Sequence, residues 1–249
     1  MKYDLSFDPP LMNAAGWLGL APDPRAAIDL SQLGAFVTNP VSLAPRHPAQ
    51  GRRYLPYPGG FLLHTGHPNP GLSAVVRRFS PRWARLPLPV IVHLLCQNVA
   101  DVGEMVRRLE IQPGVVGFEL GLPPDIETAA AHLLVQAALG ELPLVVRLPL
   151  ERVKELASAI SAAFPSVAFS LGPPRGVLPL PGSTFLRGRL YGPSVYPLAL
   201  AAVREAARLG LPVIASGGVY HPDQVQTMLS AGAIAVQLDA VLWRVGWLV

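Results

Sequence analysis

Cysteine, lysine and charge are what this 249-residue sequence has least of. Its one cysteine, Cys96, leaves no internal disulfide framework and no cysteine-rich zinc site, in keeping with a reducing compartment. In its apolar surroundings it reads as a small buried hydrophobe. There are two lysines against 18 arginines: Lys2 at the terminus and Lys154 within a helical pattern. No predicted strand therefore supplies the lysine that Schiff-base barrel chemistry needs. Charged residues make up 14% of the chain and hydrophobic ones 51%, too apolar for a disordered chain and enough for one large core. The longest uncharged apolar stretch, Leu86 to Val99, is broken by Pro87, Pro89, His93 and Gln97 and falls short of the roughly 20 residues of a membrane span. No apolar segment follows Met1-Lys2-Tyr3-Asp4, so no secretory signal is expected; the expectation is a cytoplasmic protein with no membrane partner. The net charge of +4 is scattered in short pairs, Arg52-Arg53, Arg77-Arg78 and Arg107-Arg108, which read as solvated faces and not as a nucleic-acid surface.

What is present is a repeating order of short apolar runs and helical patterns. The runs are Leu11 to Ala15, Ala35 to Asn39, Pro89 to Leu95, Val115 to Gly121, Leu142 to Leu148, Ser166 to Leu171, Pro212 to Ser216 and Ala233 to Leu238. Most are continuously apolar, as in a parallel sheet covered on both faces. Helical periodicity fills Asp23 to Leu33, Val99 to Glu110, Asp125 to Leu139, Glu151 to Phe164, Ser194 to Leu209 and Pro222 to Ala231, several opening on Asp, Ser or Pro and closing on Gly or Pro. Eight strands so connected predict an α/β fold, a closed TIM (β/α)8 barrel forming one domain over residues 1–249. A doubly wound sheet needs a glycine-rich dinucleotide turn after the first strand, which Gly16-Trp17-Leu18-Gly19 does not supply. Pro40 to Leu88 after the second strand and Gly172 to Gly192 after the sixth read as long loops, emerging where barrel enzymes build their sites.

The strand tips carry Asn13, Asn39, His93, Glu119, Arg147, Ser170, Ser216, Gln237 and Asp239. Singly, each reads as a satisfied structural polar group; together they suggest a polar pocket without an obvious acid–base pair. Ser216-Gly217-Gly218-Val219, after the seventh strand, leaves backbone N–H groups free to approach a phosphate, or else makes a tight turn before a helix. His64-Thr65-Gly66-His67 places two histidines three apart, but its glycine and proline neighbours describe a turn and no metal site is expected. No G-x-S-x-G nucleophile elbow occurs. The apolar chain end from Val241 to Val249 reads either as core packing or as the contact of a homodimer.

These segments together resemble the FMN-dependent dihydroorotate dehydrogenase family. Leu11-Met12-Asn13-Ala14-Ala15-Gly16 resembles its first-strand Ala-Ser-Gly motif, Gly34 to Arg46 its second strand, and Gly66-His67-Pro68-Asn69-Pro70-Gly71 its Gly-Leu-Pro-Asn-x-Gly loop. Leu190 to Leu200 resembles Leu-Ser-Gly-Pro-x-x-x-Pro-x-Ala-Leu, Pro212 to Val219 resembles Ile-Pro-Ile-Ile-Gly-x-Gly-Gly-Ile, and Ala231 to Gln237 resembles the Ala-Gly-Ala-x-x-Val-Gln that enters the last strand. The resemblance implies a flavin oxidoreductase converting dihydroorotate to orotate, with the cofactor carrying the redox step. It implies FMN along Ala14, Ala15, Gly16, Thr38 and Gly192, its phosphate on Gly217 and Gly218, substrate at Asn69 and Asn39, and catalytic roles for Arg147, His64 and His67, with His93 a further candidate base.

The chain departs from the family at reactive positions. Asn39 replaces an active-site lysine and Leu63 an orotate-binding asparagine. Gly121-Leu122-Pro123-Pro124 stands where the family has Asn-x-Ser-Cys-Pro-Asn, without its Cys or Ser base. Arg147 replaces a flavin-facing lysine, and Asp239-Ala240 a Gly-Thr pair beside the phosphate, where a carboxylate would repel it. The alternative is a catalytically inactive barrel of the same family, serving as a binding or partner subunit.

Overall fold

The computed structural model describes residues 6–23, 28–96 and 98–244. Its strands and helices follow in the order β1 (Leu11–Asn13), β2 (Phe36–Val37), β3 (Tyr54–Tyr57), β4 (Gly60–Leu63), α1 (Leu72–Trp83), β5 (Val90–Leu95), α2 (Val99–Leu109), β6 (Val115–Gly121), α3 (Thr128–Ala138), β7 (Leu144–Leu148), α4 (Val153–Ala163), β8 (Ala168–Leu171), β9 (Arg175–Leu180), β10 (Thr184–Tyr191), α5 (Tyr196–Arg208), β11 (Val213–Ser216), α6 (Pro222–Ser230) and β12 (Ala233–Leu238). Eight of these strands pair in parallel in the order β1-β12-β11-β8-β7-β6-β5-β2. A parallel bridge between Met12 and Ala35 joins the two ends of that order, closing the ring. The fold is the expected TIM barrel, and each predicted strand coincides with one of its eight staves.

The ring stands because its staves are apolar on both faces. The lumen is packed by Met12, Ala35, Val37, Ile91, Val145, Ala168, Ile214 and Ala235, all buried, with alanines where the narrow interior leaves no room for larger groups. The outward faces meet amphipathic helices. In α2, Val102, Met105, Val106 and Leu109 recur at helical spacing and are buried. Asn98 caps it, accepting from the Asp101 amide at 2.8 Å, and Arg107 and Arg108 sit in the last turn, where the helix dipole favours cations.

Two expectations are corrected. The stretches after the second and sixth staves are folded segments and not long loops: Pro40 to Leu88 holds β3, β4 and α1, and Gly172 to Gly192 holds β9 and β10. The four added strands form one antiparallel sheet, β3-β4-β10-β9. Half-buried and exposed residues alternate in β3, Tyr54-Leu55-Pro56-Tyr57, and in the second half of β9, so these strands lack the continuous apolar signature used to find the barrel staves. The predicted first helix, Asp23 to Leu33, is partly outside the described residues; its remainder holds a single 3-10 turn, Leu30–Gln32, capped by Asp29. Lys2 and residues 245–249 of the apolar chain end also lie outside them. Among the described residues no helix is long and apolar enough to cross a membrane.

Candidate active site

Side chains on a strand alternate, so the residues two beyond the lumen's apolar layer also face inward. Those residues are His93, Glu119, Arg147, Ser170 and Gln237, and register places His93 beside Glu119 and Arg147 beside Ser170 on neighbouring staves. They make one network. The Glu119 carboxylate lies 2.5 Å from His93 Nδ1 and accepts from Ser170 Oγ and Gln237 Nε2, each at 2.7 Å. Arg147 Nη1 lies 3.6 Å from it. Burial alone would raise the Glu119 carboxyl, but the Arg147 charge and the hydrogen bonds from His93 and Ser170 override it and hold it down at about 2. Burial lowers His93, against the opposing pull of Glu119. A neutral His93 beside an ionised Glu119 donates through Nδ1 and keeps the Nε2 lone pair free.

That nitrogen points at Gly121, where a Cβ would lie only 2.7 Å from it. Glycine at this position is what gives the imidazole its place. The strand tips therefore do contain an acid–base pair, contrary to the expectation from sequence.

Above this layer opens a cavity of about 210 Å³, lined among others by Ala15, His67, His93, Gly121, Arg147 and Tyr191. Arg46, Arg175 and Arg189 complete a ring of four arginines around it, against the exposed carboxylate of Glu151 at the rim. Arg46 comes from the loop after β2, Arg175 from the start of β9 and Arg189 from the end of β10. No carboxylate pairs with Arg189 among the described residues; burial lowers its pKa, Tyr191 acts the other way, and the neighbouring charges of Arg147 and Arg175 lower it further. His67 holds a left-handed backbone with φ of 52°. Its Nε2 is buried with no hydrogen-bond partner among the described residues. Burial, then the charges of Arg189, Arg147 and Arg46, push its pKa well down, so the ring is neutral. Cationic walls over a neutral imidazole fit a small organic anion.

The residues singled out from sequence divide. Ala15, Arg147 and His67 line this cavity. So does His93, the further candidate base; the other cofactor, substrate and catalytic candidates stand outside it. His64 follows β4, its amide bonded to the Arg53 carbonyl. Asn39 Oδ1 accepts from the Gly19 amide at 3.1 Å. Asn69 is committed to its own loop, accepting from the Ser42 and Gly71 amides and donating to Ser42 Oγ and the His67 carbonyl. Thr38 Oγ1 accepts from the His93 amide at 3.1 Å, which braces the stave carrying the imidazole. Ala14 is buried in the outer core, Gly16 is exposed at the turn after β1, and Gly192, Gly217 and Gly218 lie away from the cavity lining. Cys96 lines the cavity, and burial pushes its thiol up to about 12, so it stays protonated. Among the described residues no three His, Cys, Asp or Glu side chains gather as a metal site would require.

Sequence reading passed over Arg46, Arg175 and Arg189 because each sits in a stretch read as loop. It passed over the His93–Glu119 pair although a signal existed: Ile91 and His93 share one parity, as do Gly117 and Glu119.

The residues present do not fit a flavin mononucleotide as they stand. The phosphate seat expected between the last two strand ends is occupied by the chain itself: Asp239 Oδ2 accepts from the Gly218 amide at 3.4 Å and Oδ1 from the Ala240 amide at 2.6 Å. Gly218 is packed against the Tyr196 backbone, leaving no space for even a methyl group. The cavity is smaller than the roughly 300 Å³ at which sites for drug-sized ligands begin, and it does not extend to these turns.

The fold and site define a class, the β/α barrels, here with arginines gathered at the mouth over a buried histidine–carboxylate pair. The family is more particular. The Dihydroorotate dehydrogenase family model matches residues 2–126, half of the chain, and the chain belongs to that family. It is 28% identical over 254 residues to the dihydroorotate dehydrogenase B (NAD(+)) catalytic subunit of Desulforudis audaxviator, covering 93% of this chain and 82% of that one. To the subunit of the same name from Pelobacter propionicus it is 29% identical over 254 residues, covering 92% and 82%. The crystal structure of the Eimeria tenella dihydroorotate dehydrogenase in complex with ferulenol superposes with a TM-score of 0.74 at 16% identity, over 92% of this chain and 75% of that one. This last likeness is one of fold.

Proposed function

We propose that this chain is a dihydroorotate dehydrogenase-type oxidoreductase of pyrimidine biosynthesis that takes dihydroorotate and orotate in the arginine-lined cavity. The observation that carries the reading is the convergence of Arg46, Arg147, Arg175 and Arg189 on a small cavity floored by the free nitrogen of His93. A planar ring bearing a carboxylate satisfies both the charge and the size of that space. Arginine forks bind the carboxylate, and the unpartnered Nε2 of His67 offers one polar contact. His93 Nε2 accepts the proton that leaves substrate carbon; Glu119 fixes the tautomer and steadies the imidazolium that forms.

In the family a bound FMN supplies the redox chemistry. Asp239 takes up the amides at the turns where the FMN phosphate would sit. The relatives are named catalytic subunits, which leaves the inactive-partner alternative without support over this reading.

Calorimetric titration with orotate tests the cavity directly. The wild type should bind, Arg189→Gln should bind at least tenfold more weakly, and His93→Gln should keep orotate affinity while losing dihydroorotate-dependent dye reduction assayed with FMN supplied. Absence of binding heat at millimolar orotate would refute the assignment.

A further inference from the structure

We infer that Asp239 stands in the seat of the cofactor phosphate and keeps it closed, so that the chain holds FMN weakly and its removal opens an anion site. Three observations meet at this residue. First, the Asp239 carboxylate takes up amides from both turns, accepting from Gly218 after β11 through one oxygen and from its own neighbour Ala240 through the other. A phosphate entering there would have to take the same donors while facing a like charge.

Second, Asp239 is only 3% exposed and forms no ion pair with lysine or arginine among the described residues. Its hydrogen bonds come from backbone amides, with the Arg147 charge acting from further off.

Third, the glycines of the seat have a packing role of their own. Gly217 lies against Val195 and Gly218 against Tyr196. These glycines are therefore explained by the close packing of α5 and its preceding turn, with no ligand required.

The inference does not rest on the dehydrogenase reading, which orotate affinity measured in the same preparations reports separately. The test is titration of the full chain with FMN and, in parallel, with riboflavin, followed by flavin fluorescence and calorimetry, for wild type, Asp239→Gly and Asp239→Asn. Circular dichroism and thermal melts establish that each variant folds. The expected result is a wild type that purifies colourless, an Asp239→Gly variant that binds FMN at least tenfold more tightly (about 1.4 kcal/mol), an Asp239→Asn variant that falls between, and riboflavin affinity that moves less than threefold. If Asp239→Gly does not fold, the Asp239→Asn gain alone decides. The inference is overturned by a wild type carrying stoichiometric FMN through dialysis, by FMN affinity unchanged in the folded variants, or by riboflavin gaining as much as FMN.

Discussion

Asp239 also makes a prediction about stability, independent of any ligand. Its carboxyl is pushed up to about 6 from an ordinary 3.8, first by burial, with the Ala240 and Gly218 amides and the Arg147 charge opposing. An acid whose pKa is raised on folding favours the folded state only while protonated. That contribution is complete below about pH 3.8 and is lost as pH climbs through about 6. Two pKa units correspond to roughly 3 kcal/mol at pH 8, and about half of that has already accrued at pH 5. Asp239→Asn keeps an oxygen acceptor for the Ala240 amide and does not titrate. The variant should therefore gain on wild type as pH rises, by roughly 1.5 kcal/mol between pH 5 and pH 8, a difference of about 3 to 6 °C in melting temperature for a chain of this size. Urea unfolding at both pH values reads it. The amide's own geometry sets a constant offset between the two proteins, but only titration of the carboxyl gives a slope. A difference that is flat with pH, or falls, refutes the reasoning.

The remaining predictions concern the other two charged sites and the packing between them. Glu119 has the opposite sign to Asp239: held down at about 2, it stabilises the fold above pH 4.5 and loses that contribution as pH falls through about 2. Glu119→Gln should cost about 3 to 5 kcal/mol at pH 7, since it leaves Arg147 buried without its partner, and the gap should close in acid. Gly121→Ala sets a methyl 2.7 Å from His93 Nε2, and the ring is tethered to Glu119 and cannot swing away. A loss of about 1 to 3 kcal/mol is expected. His93→Ser in the same chain should relieve it, and additivity of the two changes within about 0.5 kcal/mol would contradict the contact. Arg189→Gln removes a half-buried cation that no carboxylate pairs with, so the ligand-free protein should melt a few degrees higher even as it loses orotate affinity; a lower melting temperature would show that Arg189 stabilises the empty fold.

Strand positions were legible in the sequence because burial on both faces writes itself as a continuous apolar run, as in Val90-Ile91-Val92 and Leu144-Val145-Val146. The hairpin sheet was not, because a strand covered on one side alternates, and alternation in a stretch as rich in proline and arginine as Arg175 to Arg189 is weak. The site divided on the same line. Arg147 was visible as a charge inside an apolar run, an anomaly a sequence displays by itself. Arg175 and Arg189 become cavity residues only once β9 and β10 pair antiparallel, with Arg189 directly opposite Arg175. Asn69 poses a different problem: a loop asparagine can serve a ligand or its own backbone, and the bonds it makes to Ser42 and Gly71 become visible only in the folded loop.

The departures from the family pattern change meaning when they are taken together. Singly, Gly121 in place of an asparagine reads as a lost contact, and His93 reads as a core histidine. In three dimensions one is the condition of the other, because any side chain at position 121 would occupy the imidazole's place. The segment Gly121 to Pro124, which lacks the family's Cys or Ser, thus begins with the glycine that leaves room for His93, itself held by a carboxylate on the neighbouring stave. Asp239 is the counter-case, a substitution that no second residue offsets among its hydrogen-bond partners, since both are backbone amides. The proposed base and the proposed obstruction are therefore separate features: His93 is held by Glu119 at the floor of the cavity, while Asp239 is bonded to the amides of the last two turns. Dihydroorotate-dependent dye reduction across the Asp239 and His93 variants separates the two, for Asp239→Gly should lower the FMN concentration at half-maximal rate without altering the pH profile. His93→Gln should abolish the rate at any FMN concentration, and a variant that moved both quantities together would show the two sites to be one.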